Sequence, residues 1–204
     1  RLLIGSIVFA ATLAAGAVAQ PTAAPAQETH MTVVGGHLFG AGNTVRTTDG
    51  ATDDAFLAGS RVFAAGTYQD DLFAAGRAVT VAGDVQRDVF GAGGTVEIER
   101  TVGDDASLAG GTVTVREGAR IAGDAFLAGS TVEVFGAIGG DLWVAGTTVT
   151  VAGTINGNVT VRADTFTLSA SARINGSLTY AARQSANIST AATVSGGIRA
   201  EEPD

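Results

Sequence analysis

The sequence contains no cysteine, and this absence excludes disulfide bonds, thiolate metal sites and a cysteine nucleophile. Only 16% of the 204 residues are charged and only 6% are aromatic, and there are three prolines. The net charge of −8 disfavours nucleic acid as a partner, and no polybasic segment is present to attract anionic lipid. The hydrophobic fraction of 46%, mostly alanine and valine, predicts a folded chain with a narrow core.

The N-terminal segment has the pattern of an export signal. A basic residue and an apolar run lead to Ala17-Val18-Ala19 ahead of Gln20, which is typical of a secretory signal peptide and its cleavage site. An uncleaved membrane anchor is the alternative, because an apolar run of about 18 residues approaches the length that spans a bilayer. We therefore predict a helical signal peptide or anchor at residues 1–19, and a linker with an N-terminal cap at residues 20–34.

An internal repeat organises the rest of the chain. The stretch DLFAAGRAVTVAGDVQRD at residues 71–88 returns as DLWVAGTTVTVAGTINGN at residues 141–158. We number each repeat from its anchor, the residue before the first apolar position, and successive anchors are 17 or 19 residues apart. The anchors are His37, Asp54, Asp71, Asp88, Asp105, Asp124, Asp141, Asn158 and Ser177. About nine contiguous repeats are characteristic of a solenoid.

Apolar residues recur in most repeats at anchor positions +1, +3, +8, +10 and +14. Alternation with a period of two predicts short strands with one buried face. The fold class predicted is therefore all-β: a single-stranded parallel β-helix (β-solenoid) of about nine triangular coils over residues 35–198, followed by a tail at residues 199–204. Three short strands would form each coil. The Ala-Gly pair at +4 and +5 recurs from Ala41-Gly42 to Ala145-Gly146, and we expect its glycine to adopt a positive φ at a corner.

Two features modify the repeat near its middle and its end. Two additional residues precede Ile121 and Ile174, and we expect them to bulge one corner while the inward columns stay in phase. In the last repeat, the +8 and +10 positions hold Ser185 and Asn187. These polar residues predict an atypical coil that serves as an end cap.

The repeated phrase of Gly-Asp, Ala-Gly and alternating valines resembles the bactofilins, also called polymer-forming cytoskeletal proteins. The closing run INGSLTYAARQSANISTAATVSGGI at residues 174–198 is similar to the end of the exported branch of that family. The resemblance covers residues 35–198 and implies a right-handed β-helix that polymerises end to end, without nucleotide, as a scaffold. Bactofilins proper are cytoplasmic or lie on the inner face of the membrane. The export signal instead predicts the periplasm or cell envelope of a bacterium.

Two sets of residues are candidates for contacts with partners. Position +2 is aromatic in most repeats and should face outward, where it would form a lateral stripe for an envelope protein or a cell-wall glycan; alternatively, the rings stack on each other or turn inward. These residues are Phe39, Phe56, Phe73, Phe90, Phe126 and Trp143. Open coil ends expose unpaired backbone groups that would favour a homopolymer. The end-to-end residues we predict are Val45, Leu178, Tyr180, Ile188 and Val194.

The aspartate anchors would stack like charges one coil apart, which is unfavourable unless they are screened. Carboxylates suit calcium, but the calcium-binding solenoid phrase is absent. We therefore predict that these side chains accept hydrogen bonds from corner N–H groups, with no metal and no cofactor.

An enzyme is not predicted. Hexapeptide acyltransferases have coils of similar size, but they need a histidine base, and the only histidines here are His30 and His37 at the mouth of the solenoid. Acid–base catalysis requires groups in distinct environments, whereas a repeat gives each aspartate nearly the same one. The sequence therefore favours a non-enzymatic, self-assembling scaffold. An envelope glycan- or protein-binding module is one alternative, and the ectodomain of a larger membrane protein with helices after Asp204 is another.

Overall fold

A computed structural model describes residues 29–203, which form stacked β-strands without a helix. The segment predicted as a signal peptide, residues 1–19, lies outside the described residues, as do residues 20–28 of the predicted linker. No helix within residues 29–203 is long and apolar enough to cross a membrane.

Each complete coil contributes one long strand and one short strand. The long strands are β2 (His37–Thr47), β4 (Ala55–Ala64), β6 (Leu72–Val81), β8 (Val89–Ile98), β10 (Ala106–Val115), β12 (Ala125–Val134), β14 (Leu142–Val151) and β16 (Val159–Leu168). The short strands are β3 (Gly50–Ala51), β5 (Thr67–Tyr68), β7 (Asp84–Val85), β9 (Thr101–Val102), β11 (Arg120–Ile121), β13 (Ala137–Ile138), β15 (Thr154–Ile155) and β17 (Arg173–Ile174). The two ends are completed by β1 (His30–Val34), β18 (Leu178–Ala182), β19 (Asn187–Ile188), β20 (Thr193–Val194) and β21 (Ile198–Glu201).

The strands form two sheets that run along the rod. The long strands stack in the order β2-β4-β6-β8-β10-β12-β14-β16-β18-β21, with β1 added beside β2. The short strands stack in a second sheet from β3 to β20. Every pairing between coils is parallel, whereas β1 is antiparallel to β2. The all-β solenoid is thus confirmed, with about ten turns instead of nine because β21 begins another turn.

The core is a set of columns with one side chain from each coil. The +8 column pairs in register from Val45 and Val62 through to Phe166, and its members are almost completely buried. The +14 column, which includes Tyr68, Val85 and Ile155, is equally inaccessible. These registers confirm the repeat anchors read from the sequence.

The predicted corner at the Ala-Gly pair is a bend inside a continuous strand, not a break between two strands. The ladder between β10 and β12 pairs Gly110 with Gly129 and then Thr112 with Thr131, omitting one residue. Buried positions shift at the same point, from +1 and +3 to +8 and +10. The omitted residue therefore changes which face of the strand points to the core. Two of the three short strands predicted for each coil are thus halves of one long strand.

The expected reason for the glycine at +5 is wrong. Gly42 has a φ of 159°, which is essentially extended, and the other glycines of this column have no positive φ. Instead, a Cβ at Gly76 would lie 2.2 Å from the carbonyl oxygen of Gly59 in the preceding coil. At Gly76 the backbones approach so closely that a Cβ has no room.

The two longer coils keep the columns in phase, as expected. The inserted residues form a turn in which Ala119 N–H donates to the Arg116 carbonyl at 3.0 Å, and Gly118 takes a φ of 85°. Ala119 and its counterpart Ala172 are buried. The insertion thus adds a small interior side chain while Ile121 still pairs with its neighbours.

The two ends differ from the interior. At the N-terminal end, Gly35 and Gly36 have φ values of 61° and 96°, which suit a two-residue hairpin turn that folds β1 back onto β2. In the last coil the register shifts by one residue, so that Ile188 pairs with Leu168. Asn187, the polar residue expected at +10, therefore does not pair with Leu168. Ile188 takes that position in the +10 column.

Candidate functional site

The side chains at +2 form an aromatic column on the outer face of the long sheet. Phe39, Phe56, Phe73 and Phe90 stack with ring centroids 4.8–5.2 Å apart and interplanar angles of 5–10°. The rings lie outside, as strand parity predicts, and they also stack on one another. Their spacing matches the separation of hydrogen-bonded strands, so the backbone ladder sets the ring stack.

A second stack continues the column after an interruption. The rings of Phe126 and Trp143 lie 4.7 Å apart with an interplanar angle of 2°. Ser107 occupies the +2 position between the stacks and pairs in register with Phe90 on one side and Phe126 on the other. The exposed rings on both sides of Ser107 keep between 37% and 45% of their surface in solvent. Within each stack the neighbouring rings cover each other's faces, whereas the ring at each end of a stack has one face that no other ring covers.

An apolar groove follows the first stack along the rod, with a volume of about 710 Å³. One wall is made by the four phenylalanines of that stack. The small residues at +4, Ala41, Ala58, Ala75 and Ala92, line it together with the +3 residues Gly40, Leu57, Ala74 and Gly91. His30 and Thr32 of β1 lie at one end and Ser107 at the other. The volume falls within the range of small-molecule pockets, and among its described lining residues His30 alone is ionisable.

Sequence reasoning found the aromatic wall of this groove but missed the alanines. The signal was present, because alanine recurs at +4 in successive repeats beside the aromatic +2 position. Both positions project to the same side of the strand. The large side chains at +2 therefore form one wall of the groove, and the small side chains at +4 leave the space beside that wall open.

The aspartate anchors form a hydrogen-bonded column along one edge of the coils. Each carboxylate accepts a hydrogen bond from the backbone N–H of the next anchor; for example, Asp105 Oδ1 accepts from Asp124 N at 2.6 Å, and Asp124 Oδ1 from Asp141 N at 2.8 Å. Asn158 plays the same role for Ser177 at 3.1 Å. These hydrogen bonds stabilise the column of like charges, because a carboxylate is a strong acceptor for an N–H group.

Some acidic side chains of the first coils lie close together. The carboxylates of Asp53 and Asp54 face His37 Nδ1 at 3.6 and 3.4 Å. Arg87 Nε lies 3.2 Å from Asp70 and 3.7 Å from Asp71. In the group His37, Asp53 and Asp54, and in the group Asp54, Asp70 and Asp71, the potential metal-ligand atoms lie within 4.8 Å of one another. Half-buried carboxylates already engaged with an arginine or with backbone N–H groups give no reason of their own to assign a metal.

The residues predicted for end-to-end contacts fall into two classes. Val45 and Leu178 are fully buried, so their side chains do not form part of the exposed surface at the ends. Both occupy inward columns, which the end coils continue without interruption. Tyr180, Ile188 and Val194 are partly buried and pack against the core at the C-terminal end.

Apart from Phe135, the exposed large apolar side chains that the sequence reasoning missed lie on the terminal strands. They are Met31, Val33 and Val34 on β1 and Ile198 on β21. Each terminal strand is exposed along its whole length. The hairpin signal in Val-Val-Gly-Gly-His at residues 33–37 could have identified β1, because two adjacent glycines favour a hairpin turn.

One polar pair lies inside the rod. The Tyr68 hydroxyl and Thr47 Oγ1 share a hydrogen bond, and both side chains are buried. Ala65 N–H also donates to Thr47 Oγ1 at 3.1 Å. Burial raises the pKa of Tyr68, and the hydrogen bond from Thr47 lowers it by a smaller amount. The pair satisfies its polar atoms internally and is a structural feature of the second coil.

Comparison of the chain with family models, with curated proteins and with solved structures found no match.

Proposed function

We propose that this chain is a non-enzymatic structural protein, similar to the bactofilins, which is exported to the bacterial cell envelope and assembles through the ends of its solenoid. The proposal includes a right-handed coil and a signal peptide at residues 1–19. The repeat phrase and the closing run at residues 174–198 support the family resemblance. The N-terminal sequence pattern supports export.

The observation that carries the proposal is the exposure of both terminal strands. Within residues 29–203, each interior long strand pairs on both sides, whereas β1 pairs only with β2 and β21 only with β18. Val33 and Val34 are 66% and 61% exposed, and Ile198 is 49% exposed. An exposed strand edge with apolar side chains is a ready template for pairing with another chain. Each end of the rod therefore offers backbone hydrogen bonds and apolar contacts together.

The aromatic column on the outer face of the long sheet is less suited to binding a glycan. Sugar rings pack on the faces of aromatic rings, but most ring faces in the aromatic column are covered by the next ring. A scaffold that assembles through its ends is therefore favoured over an envelope glycan-binding module.

Electron microscopy of the full chain, combined with charge substitutions at each end, tests the proposal. Val33→Asp blocks the N-terminal end and Ile198→Asp blocks the C-terminal end. Thr148→Asp introduces the same charge on an exposed position in the middle of the rod and serves as the control. We expect filaments from the wild-type chain and from the control, and none from either end variant.

Mixing the two end variants identifies the contact. If the N-terminal end of one copy binds the C-terminal end of the next, each variant alone is monomeric and the mixture forms heterodimers. If like ends bind each other, each variant alone forms homodimers. Monodisperse wild-type monomers at all concentrations and salt levels would contradict assembly, as would filaments from both end variants.

A further inference from the structure

The interruption at Ser107 leaves a gap of defined thickness in the aromatic column. Ser107 pairs directly with Phe90 and Phe126. The two phenylalanine rings are therefore separated by two coil spacings, or about 9.6 Å at roughly 4.8 Å per strand. The serine side chain ends at Oγ, so it fills little of the space that a ring occupies in the neighbouring coils. We call this space the Ser107 slot.

The dimensions of the Ser107 slot match one aromatic ring. Stacked rings on either side repeat every 4.8 Å at Phe73–Phe90 and every 4.7 Å at Phe126–Trp143. A ring placed midway would lie about 4.8 Å from both phenylalanine centroids, within the 4.5–7 Å range that aromatic pairs prefer. It would complete the stack. Two ring faces are available here, whereas each end of the aromatic column offers one.

The surroundings of the slot select for an uncharged ligand. Ser107 forms one end of the apolar groove, whose neighbouring lining is Phe90, Gly91 and Ala92. Among the described lining residues of the groove, only His30 at its opposite end is ionisable. A charged group would lose hydration in the slot without gaining a partner. The groove beside the slot would accommodate an apolar substituent of the ligand.

We propose that the Ser107 slot binds one planar, uncharged aromatic ring, sandwiched between Phe90 and Phe126. The Ser107 hydroxyl lies at the inner edge of the slot and is a hydrogen-bonding group for a ring N–H or carbonyl. This site is separate from the rod ends, so it does not depend on the proposed assembly.

Equilibrium dialysis of the full chain with indole tests the proposal, because it measures bound indole whether the chain is monomeric or assembled. Ser107→Phe fills the slot with the chain's own ring, and we expect it to weaken indole binding at least tenfold. Ser107→Ala keeps the slot open and should bind within about threefold of the wild type. Cyclohexanol, which is not planar, should bind at least threefold more weakly than indole.

A second variant keeps the test decisive if Ser107→Phe does not fold. Phe126→Leu removes one ring face but leaves an apolar side chain, and we expect indole binding to weaken by roughly three- to tenfold, in line with the value of one aromatic pair. The proposal is overturned if the wild type binds no indole, if Ser107→Phe or Phe126→Leu binds as the wild type does, or if cyclohexanol binds as well as indole.

Discussion

The glycine column at the bend of the long strands gives the sharpest prediction about stability. A Cβ added at Gly76 would lie 2.2 Å from the Gly59 carbonyl oxygen, and one added at Gly146 would lie 2.6 Å from that of Gly129. Restoring a normal contact at Gly76 requires a shift of about 0.8 Å or more, a sizeable fraction of the roughly 4.8 Å coil spacing. Both clashes are with backbone atoms, so no side-chain rotation relieves them.

The magnitude follows from three effects. Overpacking costs about 1–3 kcal/mol, and weakening one ladder hydrogen bond costs about 1 kcal/mol. Replacing glycine with alanine also restricts the unfolded chain, which stabilises the fold by about 0.4–1 kcal/mol. We therefore expect Gly76→Ala to lower the free energy of unfolding by about 2–3 kcal/mol. Gly146→Ala, with the longer contact, should lower it by about 1–2 kcal/mol.

Ala163 provides the matched control, since it occupies the same column one coil after Gly146 and already carries a Cβ. Ala163→Gly should also destabilise the chain, by about 1 kcal/mol, because it removes a methyl group and loosens the unfolded chain. Guanidinium chloride unfolding, followed by circular dichroism and by Trp143 fluorescence, measures each change. If Gly76→Ala were neutral or stabilising, the close backbone contact would not be the reason for glycine, and the reasoning would be refuted.

Substitutions at two further positions probe the polar features of the rod by the same unfolding measurement. Asp105→Ala should cost about 1–3 kcal/mol through the lost acceptor for Asp124 N–H, whereas Asp105→Asn should cost less than about 0.5 kcal/mol, since it keeps an acceptor and removes a like charge; equal losses would contradict the hydrogen-bonded column. Tyr68→Phe should cost about 1 kcal/mol through the lost bond to Thr47. Because burial raises the pKa of Tyr68 above its ordinary value of 10.0, its contribution to stability is fully present below about pH 10 and is lost as the pH rises further. Tyr68→Phe should show a smaller alkaline loss, and an unchanged pH profile would argue against a buried, neutral hydroxyl.

The columns of the solenoid could be predicted because burial imposes a period on the sequence. Inward residues such as Val62 and Ile155 recur at fixed distances from the anchor, and a parallel ladder repeats each position in the next coil. The outward placement of the aromatic column followed from the same parity. The sequence could not show whether the rings stack on one another or stand apart, because both arrangements place position +2 on the outer face of the strand.

Other features depend on contacts that the periodicity does not encode. A Cβ at Gly76 would clash with the carbonyl of another coil, and this close approach becomes visible only when the coils are stacked. The pairing of the last coil shifts by one residue, because the shift places apolar Ile188 rather than polar Asn187 in the inward column. The repeat spacing alone does not predict this shift. Val45 and Leu178 belong to end coils, but an end coil still encloses its own inward side chains.

Electron diffraction from assemblies of the full chain most directly tests the central claim that stacked coils continue from one molecule into the next. We predict filaments with a meridional reflection at about 4.8 Å along the filament axis, and an axial molecular repeat of about 53 Å, because eleven strands stack in line from β1 to β21. Filaments without that reflection along their axis, or particles that remain single rods at every concentration, would contradict the account.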